Sequence, residues 1–180
     1  MGIVIEQLTP EIFQDINKSN SEFVIDSKIV PCYENGKLTY NVIHVPEYKK
    51  HYEPEVPDFY KPFLDSPDKT GFLAYVDGQV AGQLLLRRNW NRFAWVEDIR
   101  VDINFRRRGV GTALLSQGEE WAKRNGCPGI MLETQDTNVK ACRFYENYGF
   151  MLGGFDISLY HAATLYADEI ALFWYLMFNR

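Results

Sequence analysis

The architecture of the chain turns on Ile99-Arg100-Val101-Asp102-Ile103-Asn104-Phe105-Arg106-Arg107-Arg108-Gly109-Val110-Gly111-Thr112. Phe93 to Val101 alternates as a strand does, and a basic loop with two glycines follows it. A helix then begins at once. Val110, Ala113, Leu114, Trp121 and Ala122 recur at near-helical spacing through roughly Arg124, and Gly126 with Pro128 ends the run. Free N–H groups at a helix start converge on an anion, and glycines let a phosphate approach the backbone closely. Taken alone, the loop reads equally well as a plain strand-to-helix turn with solvated arginines.

Outward from that loop, Asp77-Gly78 is a hairpin signal joining strands over Gly71 to Val76 and Gln79 to Arg88. Ile3 to Leu8 reads as a first strand, and Thr9-Pro10-Glu11 as the start of a helix. Asn35-Gly36 leads into a strand over Lys37 to Val45; the stretch 46–67, rich in Pro, Tyr and acidic residues, reads as irregular or briefly helical. Beyond the helix that follows Gly109, a strand is expected over Gly129 to Thr134. A helix from Asn138 to Tyr148, stopped by Gly149, comes next, then strands over Phe150 to Leu159 and Asp168 to Phe178. This order predicts a mixed α/β fold with hairpins and a crossover. No repeat, low-complexity tract or linker interrupts it, so residues 1–180 are expected to form one domain.

Composition narrows the function. A chain of 180 residues that is 46% hydrophobic can bury a core, and a net charge of -5 argues against broad nucleic-acid or anionic-membrane binding. Arg106 to Arg108 lie in acidic surroundings without an aromatic platform beside them, unlike a nucleic-acid-binding patch. No run is long enough to span a bilayer, and Met1 to Glu6 begins like a strand rather than a signal peptide. Cys32, Cys127 and Cys142 are odd in number and His44, His51 and His161 are scattered. The expectation is reduced thiols in a cytoplasm and no metal. Oligomeric state is left open, a homodimer included.

With the second half of the chain, a resemblance emerges. The loop Arg106-Arg107-Arg108-Gly109-Val110-Gly111 resembles the pyrophosphate loop of the GNAT acetyltransferases. Asn138, Ala141 and Phe144-Tyr145-Glu146-Asn147-Tyr148-Gly149-Phe150 resemble that superfamily's second motif at the expected distance. The resemblance implies an α/β GNAT fold with a mixed, mostly antiparallel central sheet flanked by helices, and acetyl-CoA as co-substrate. Ile99, Arg100 and Val101 would run along the pantetheine arm, and Arg106 to Thr112 would hold the pyrophosphate. Asn138 and Ala141 would face the arm, and Tyr145 would aim its hydroxyl at the sulfur. Trp90-Asn91, Leu132-Glu133-Thr134-Gln135, Leu152-Gly153-Gly154-Phe155-Asp156 and Glu169 before Trp174-Tyr175 are similar to streptothricin acetyltransferases. The first half matches only loosely, at Tyr48-Lys49-Lys50-His51-Tyr52.

Acetylating an amine needs a neutral nucleophile and a proton for the leaving thiolate. A lysine-type amine titrates near ~10.4, so deprotonating it near neutrality costs about 4–5 kcal/mol and calls for a base. Glu97 shares a face with Ile99 and Val101 by strand alternation, and Glu133 ends the next strand; both are candidates. Tyr145, protonated at neutral pH, suits the acid. Asp98, Asp156 and Glu169 could receive a small cationic amine, with Trp90 and Tyr160 as apolar surface. The implied acceptor is the β-lysine moiety of streptothricin. Another amine (polyamine, aminoglycoside, protein lysine or N-terminus) and a silent acetyl-CoA-binding module stay open. Cys142, with no His partner in reach by spacing, reads as a buried small residue.

Overall fold

The computed structural model describes residues 2–163 and 166–178. In chain order the strands and helices are β1 (Ile3–Gln7), β2 (Phe23–Glu34), β3 (Lys37–Lys50), α1 (Pro57–Tyr60), α2 (Pro62–Asp65), β4 (Lys69–Val76), β5 (Gln79–Arg88), β6 (Ala94–Val101), α3 (Val110–Arg124), β7 (Gly129–Gln135), α4 (Val139–Tyr148), β8 (Met151–Asp156) and β9 (Ala171–Met177). They fall into two compact units: Met1–Phe23 with His51–Ile130, and Val24–Lys50 with Met131–Phe178.

In the first unit β1, β4, β5 and β6 lie side by side in that order, each pair antiparallel. Asp77 and Gly78 both take positive φ (50° and 77°), the conformation that a two-residue hairpin requires. Leu84-Leu85-Leu86 explains why β5 reads as a continuous apolar run: all three are buried, because both faces of the strand are covered. Leu84 and Leu86 meet α3 at Gly118, whereas Leu85 joins Leu8, Tyr60, Phe63 and Leu73 on the other face. Gly82 marks a closer approach. A Cβ there would stand 2.5 Å from the carbonyl oxygen of Arg100 on the paired strand, so only glycine fits.

The second unit pairs β8 antiparallel to β9 and orders its strands β7-β9-β8. Trp174 of β9 is fully buried, its indole N–H donating to Thr134 Oγ1 of β7 at 3.0 Å. The hairpin β2–β3 forms a separate two-stranded ribbon turning at Asn35-Gly36, where φ is 52° and 75°.

Several expectations shift. Thr9-Pro10-Glu11 opens turns and a single 3-10 turn, Phe13–Asp15, instead of an α-helix. Ile12, Phe13 and Ile16 already reach the core from those turns, and Asn17, at φ 64°, gives its N–H to Gln83 Oε1 at 2.7 Å. The strand Phe23–Glu34 was not expected, since Asp26, Ser27 and Lys28 interrupt its apolar pattern. β3 runs past Val45 to Lys50; a ribbon strand tolerates Pro46, whose missing N–H is needed by no second neighbour. β8 stops at Asp156, not Leu159, because the Asp156 side chain accepts the Ser158 N–H at 2.7 Å and turns the chain. β9 begins at Ala171 rather than Asp168, after a turn closed by Glu169 N–H to the Tyr166 carbonyl.

Candidate active site

The first unit supplies an anion cradle. Gly109 is the N-cap of α3 at φ 86°, and Arg107 two residues earlier also has positive φ, 60°. No side chain caps the helix, so the first-turn N–H groups of Val110, Gly111 and Thr112 are left for a ligand. Arg107, Arg108 and Gly109 are exposed, with Arg108 over the Phe105 ring, while Val110 is buried and anchors the turn. Arg106 differs from its neighbours. Its guanidinium donates to the carbonyls of Val101 (3.2 Å) and Ser21 (2.8 Å), so its side chain braces the loop rather than facing a phosphate. An uncapped helix start with a left-handed glycine and two exposed arginines fits the pyrophosphate of acetyl-CoA.

The strand leading into that loop is irregular. Asp98 pairs with Leu85 and Val96 with Leu86, so Glu97 is an extra residue with no partner on β5, a β-bulge. The bulge puts strand alternation out of phase. Ile99 faces with Leu84, whereas Asp98 and Arg100 lie on the Gln83 face, where Arg100 Nε donates to Asp98 at 2.9 Å and Gln83 donates to the same carboxylate. Glu97 therefore does not share a face with Ile99 and Val101. It is ion-paired with Arg87, which also binds Asn89 Oδ1. Burial pushes the Asp98 carboxyl up, against the pull of Arg100 and Gln83.

In the second unit Glu133, on β7, accepts a hydrogen bond from the Tyr160 hydroxyl. Burial raises its pKa, the neighbouring Glu169 raises it further, and Tyr160 and Lys50 oppose. A carboxylate whose pKa is raised, near the end of a strand, suits proton transfer. Lys50, at the end of β3, is the residue that the sequence did not single out. Its buried ammonium donates to both oxygens of Glu169 and to Gln135 Oε1, each at 2.7 Å, and sits 4.1 Å from the centre of the Tyr166 ring. Thr137 adds a 3.1 Å bond to Glu169. Glu169 was expected to present its carboxylate to a cation from outside; it already holds one from its own chain. The signal was a lysine in register with β3, hidden by the strand's unexpected length.

Asn138 caps α4, its Oδ1 accepting the Ala141 N–H at 3.3 Å. Tyr145 is buried on that helix between the rings of Phe144 and Phe150, 5.3 and 5.6 Å away. Cys142, fully buried beside Thr134 Oγ1 at 3.2 Å, has its thiol pushed up to about 12, chiefly by burial, so it remains a thiol. Asp156 spends a carboxylate oxygen on its own turn, and Trp90, 90% exposed, belongs to no core. Among the described residues no cluster of His, Cys, Asp and Glu could hold a metal, and no helix is long and apolar enough to cross a membrane.

Comparison with known proteins matches these features to one family. Residues 37–150 match the model of the acetyltransferase (GNAT) family. Streptothricin acetyltransferase A of Bacillus subtilis is 40% identical over 97% of this chain and all of its own length. A candidate streptothricin acetyltransferase of Bacillus anthracis, solved in complex with acetyl coenzyme A, superposes with a TM-score of 0.90 at 35% identity, covering 99% of both chains. Nourseothricin acetyltransferase gives a TM-score of 0.82 at 28% identity, covering 98% of this chain and 99% of its own. With its mostly antiparallel strands, its glycine-bearing helix start and these likenesses, the chain belongs to the GNAT family and is an acetyl-CoA-dependent N-acetyltransferase.

Proposed function

We propose that the acceptor is a primary amine of streptothricin, on its β-lysine moiety, and that residues 1–180 serve as one acetyltransferase domain conferring resistance to that antibiotic. The observation that carries this reading is the full-length likeness to a streptothricin acetyltransferase. The acidic character of Glu133, Asp136 and Glu169 agrees with it, since Lys50 offsets only one of those charges.

Acetyl-CoA supplies the acetyl group as an activated thioester. The first-turn amides of α3, with Arg107 and Arg108, hold its pyrophosphate, and the backbone of Ile99 to Val101 lies along its arm. Glu133 takes the proton from the acceptor's ammonium, directly or through water. Its raised pKa matches that work better than Glu97, whose charge is committed to Arg87. Tyr145 donates a proton to the departing thiolate.

The deciding experiment is turnover of acetyl-CoA against a panel of amines: streptothricin, a polyamine, an aminoglycoside and a peptide N-terminus. Fastest turnover with streptothricin, with one acetyl added to the β-lysine, is expected. Faster turnover of another amine removes the acceptor and leaves the acetyltransferase intact.

A further inference from the structure

Lys50 is a buried titratable group with no part in the transfer described above. Its ammonium, on a side chain only 5% exposed, donates to both oxygens of Glu169 and to Gln135 Oε1 and lies against the Tyr166 ring. All four residues belong to the second unit. Gln135 and Glu133 stand two apart on β7, so strand alternation sends both side chains to one face. Thr134 between them leaves by the other face, where it accepts the Trp174 N–H. Lys50 is therefore bonded on the face of β7 that carries Glu133, and the charges acting on it are those of Glu169, Asp136 and Glu133.

Three carboxylates thus surround one ammonium. Asp136, just past β7, spends one oxygen on the Ile170 N–H at 3.2 Å, and the charge of Lys28 on β2 acts on it as well. Glu133 holds the Tyr160 hydroxyl, from the turn after β8. Glu169, in the turn before β9, accepts from Thr137 at 3.1 Å in addition to Lys50. Tyr48 on β3 and Cys142 on α4 add no charge, since burial pushes both up.

Carboxylates that share a site compete for protons, and one of them keeps its proton to a higher pH. A cation fixed on one of them limits that competition. We propose that Lys50 is a positioning residue for acetyl transfer: its ammonium, fixed on Glu169 and Gln135, offsets Glu169 so that Glu133 is the one of the two glutamates free to take the acceptor's proton. That Glu133 is the base rests on the function proposed above. Glu133 feels Glu169 more strongly than Lys50 and in the opposite sense, so the loss of each has its own sign.

The test is the pH dependence of kcat/KM for streptothricin, each rate taken relative to its own plateau and read on the acidic limb. Lys50→Met leaves Glu169 uncompensated, so the limb should move to higher pH and the relative rate there should fall roughly three- to tenfold. Glu169→Gln removes the competitor and should move the limb to lower pH. The double variant should lie between the two singles and slightly below the parent. Tm is measured beside each, and every folded member of the series is compared with the parent; the double variant, with neither charge, secures that comparison. An ion pair with a structural role alone would lower Tm and leave the limb in place. An unmoved limb, or the reverse order, in the folded variants overturns the proposal. Carbon-13 NMR titration of the Glu133 carboxyl in the same proteins needs no acceptor and separates the two ideas. A Glu133 titration that follows the stated order beside an unmoved limb removes Glu133 as the base, and with it the part of Lys50 in the transfer. A limb lost in Glu133→Gln, beside a Glu133 titration that neither Lys50→Met nor Glu169→Gln moves, overturns the role of Lys50 and keeps the base.

Discussion

Lys50 holds Glu169 by both carboxylate oxygens at 2.7 Å, a buried ion pair between the end of β3 and the turn before β9. Removing one partner of such a pair leaves an uncompensated charge away from water, a loss of about 3–5 kcal/mol. Glu169→Gln should therefore lower Tm by many degrees, and Lys50→Met should do the same. The double variant should recover part of the loss, because neither charge remains. A Glu169→Gln protein with parental Tm and a raised KM would show instead that Glu169 receives the substrate.

Glu133 gives a pH signature. Its pKa is raised, burial being the first cause, so the carboxylate needed to accept a proton is present above that pKa and lost as pH falls through it. The acidic limb of kcat/KM should lie above the ordinary glutamate value of about 4.3. Tyr160→Phe removes a hydrogen bond that favours the carboxylate, so the limb should move to higher pH. Glu133→Gln should abolish it, whereas Glu97→Gln should keep it. The acceptor's own ammonium, titrating near ~10, lies outside this window.

Tyr145→Phe preserves the ring packed between Phe144 and Phe150 and deletes only the hydroxyl. kcat should fall by roughly 10²–10⁴-fold, with acetyl-CoA affinity nearly unchanged. Single-turnover kinetics beside calorimetry check this, and a parental chemical step assigns the residue to the core alone.

Gly111→Glu puts a negative side chain into the first turn of α3, where the phosphates should bind. Acetyl-CoA affinity should drop at least tenfold. Gly109→Ala tests the same turn through the backbone: φ of 86° costs a non-glycine residue about 1–2 kcal/mol, although only the Ile3 side chain, 3.7 Å away, lies near the added methyl. Its Tm should fall modestly, with a weaker effect on affinity than Gly111→Glu.

Local chemistry made much of this molecule legible in advance. Asp77-Gly78 determined the β4–β5 hairpin, since both residues accept positive φ and an apolar run flanks them on each side. Gly109 with the periodic run after it determined the start of α3 within a residue, and Asn138 and Gly149 bracketed α4 as cap and stop. These signals survive without the rest of the chain because each resides in a few consecutive residues. The family resemblance was legible for the same reason: its two motifs are contiguous.

Tertiary structure decided the rest. Thr9-Pro10-Glu11 carries good helix-start chemistry, but Gln83, 66 positions away from Asn17, claims the N–H that ends the turn. The bulge at Glu97 depends on which β5 residue each β6 residue meets, and a single-strand pattern cannot encode a slip in pairing. Lys50 looked like one more charge in an acidic chain until folding brought it to the carboxylate of Glu169, 119 positions away in sequence, where burial made the pair strong enough to matter. Strand alternation and capping act over a few residues and can be read along the chain. Which glutamate is committed to a salt bridge and which has its pKa raised depends on desolvation and on partners distant in sequence, and those exist only once the chain has folded.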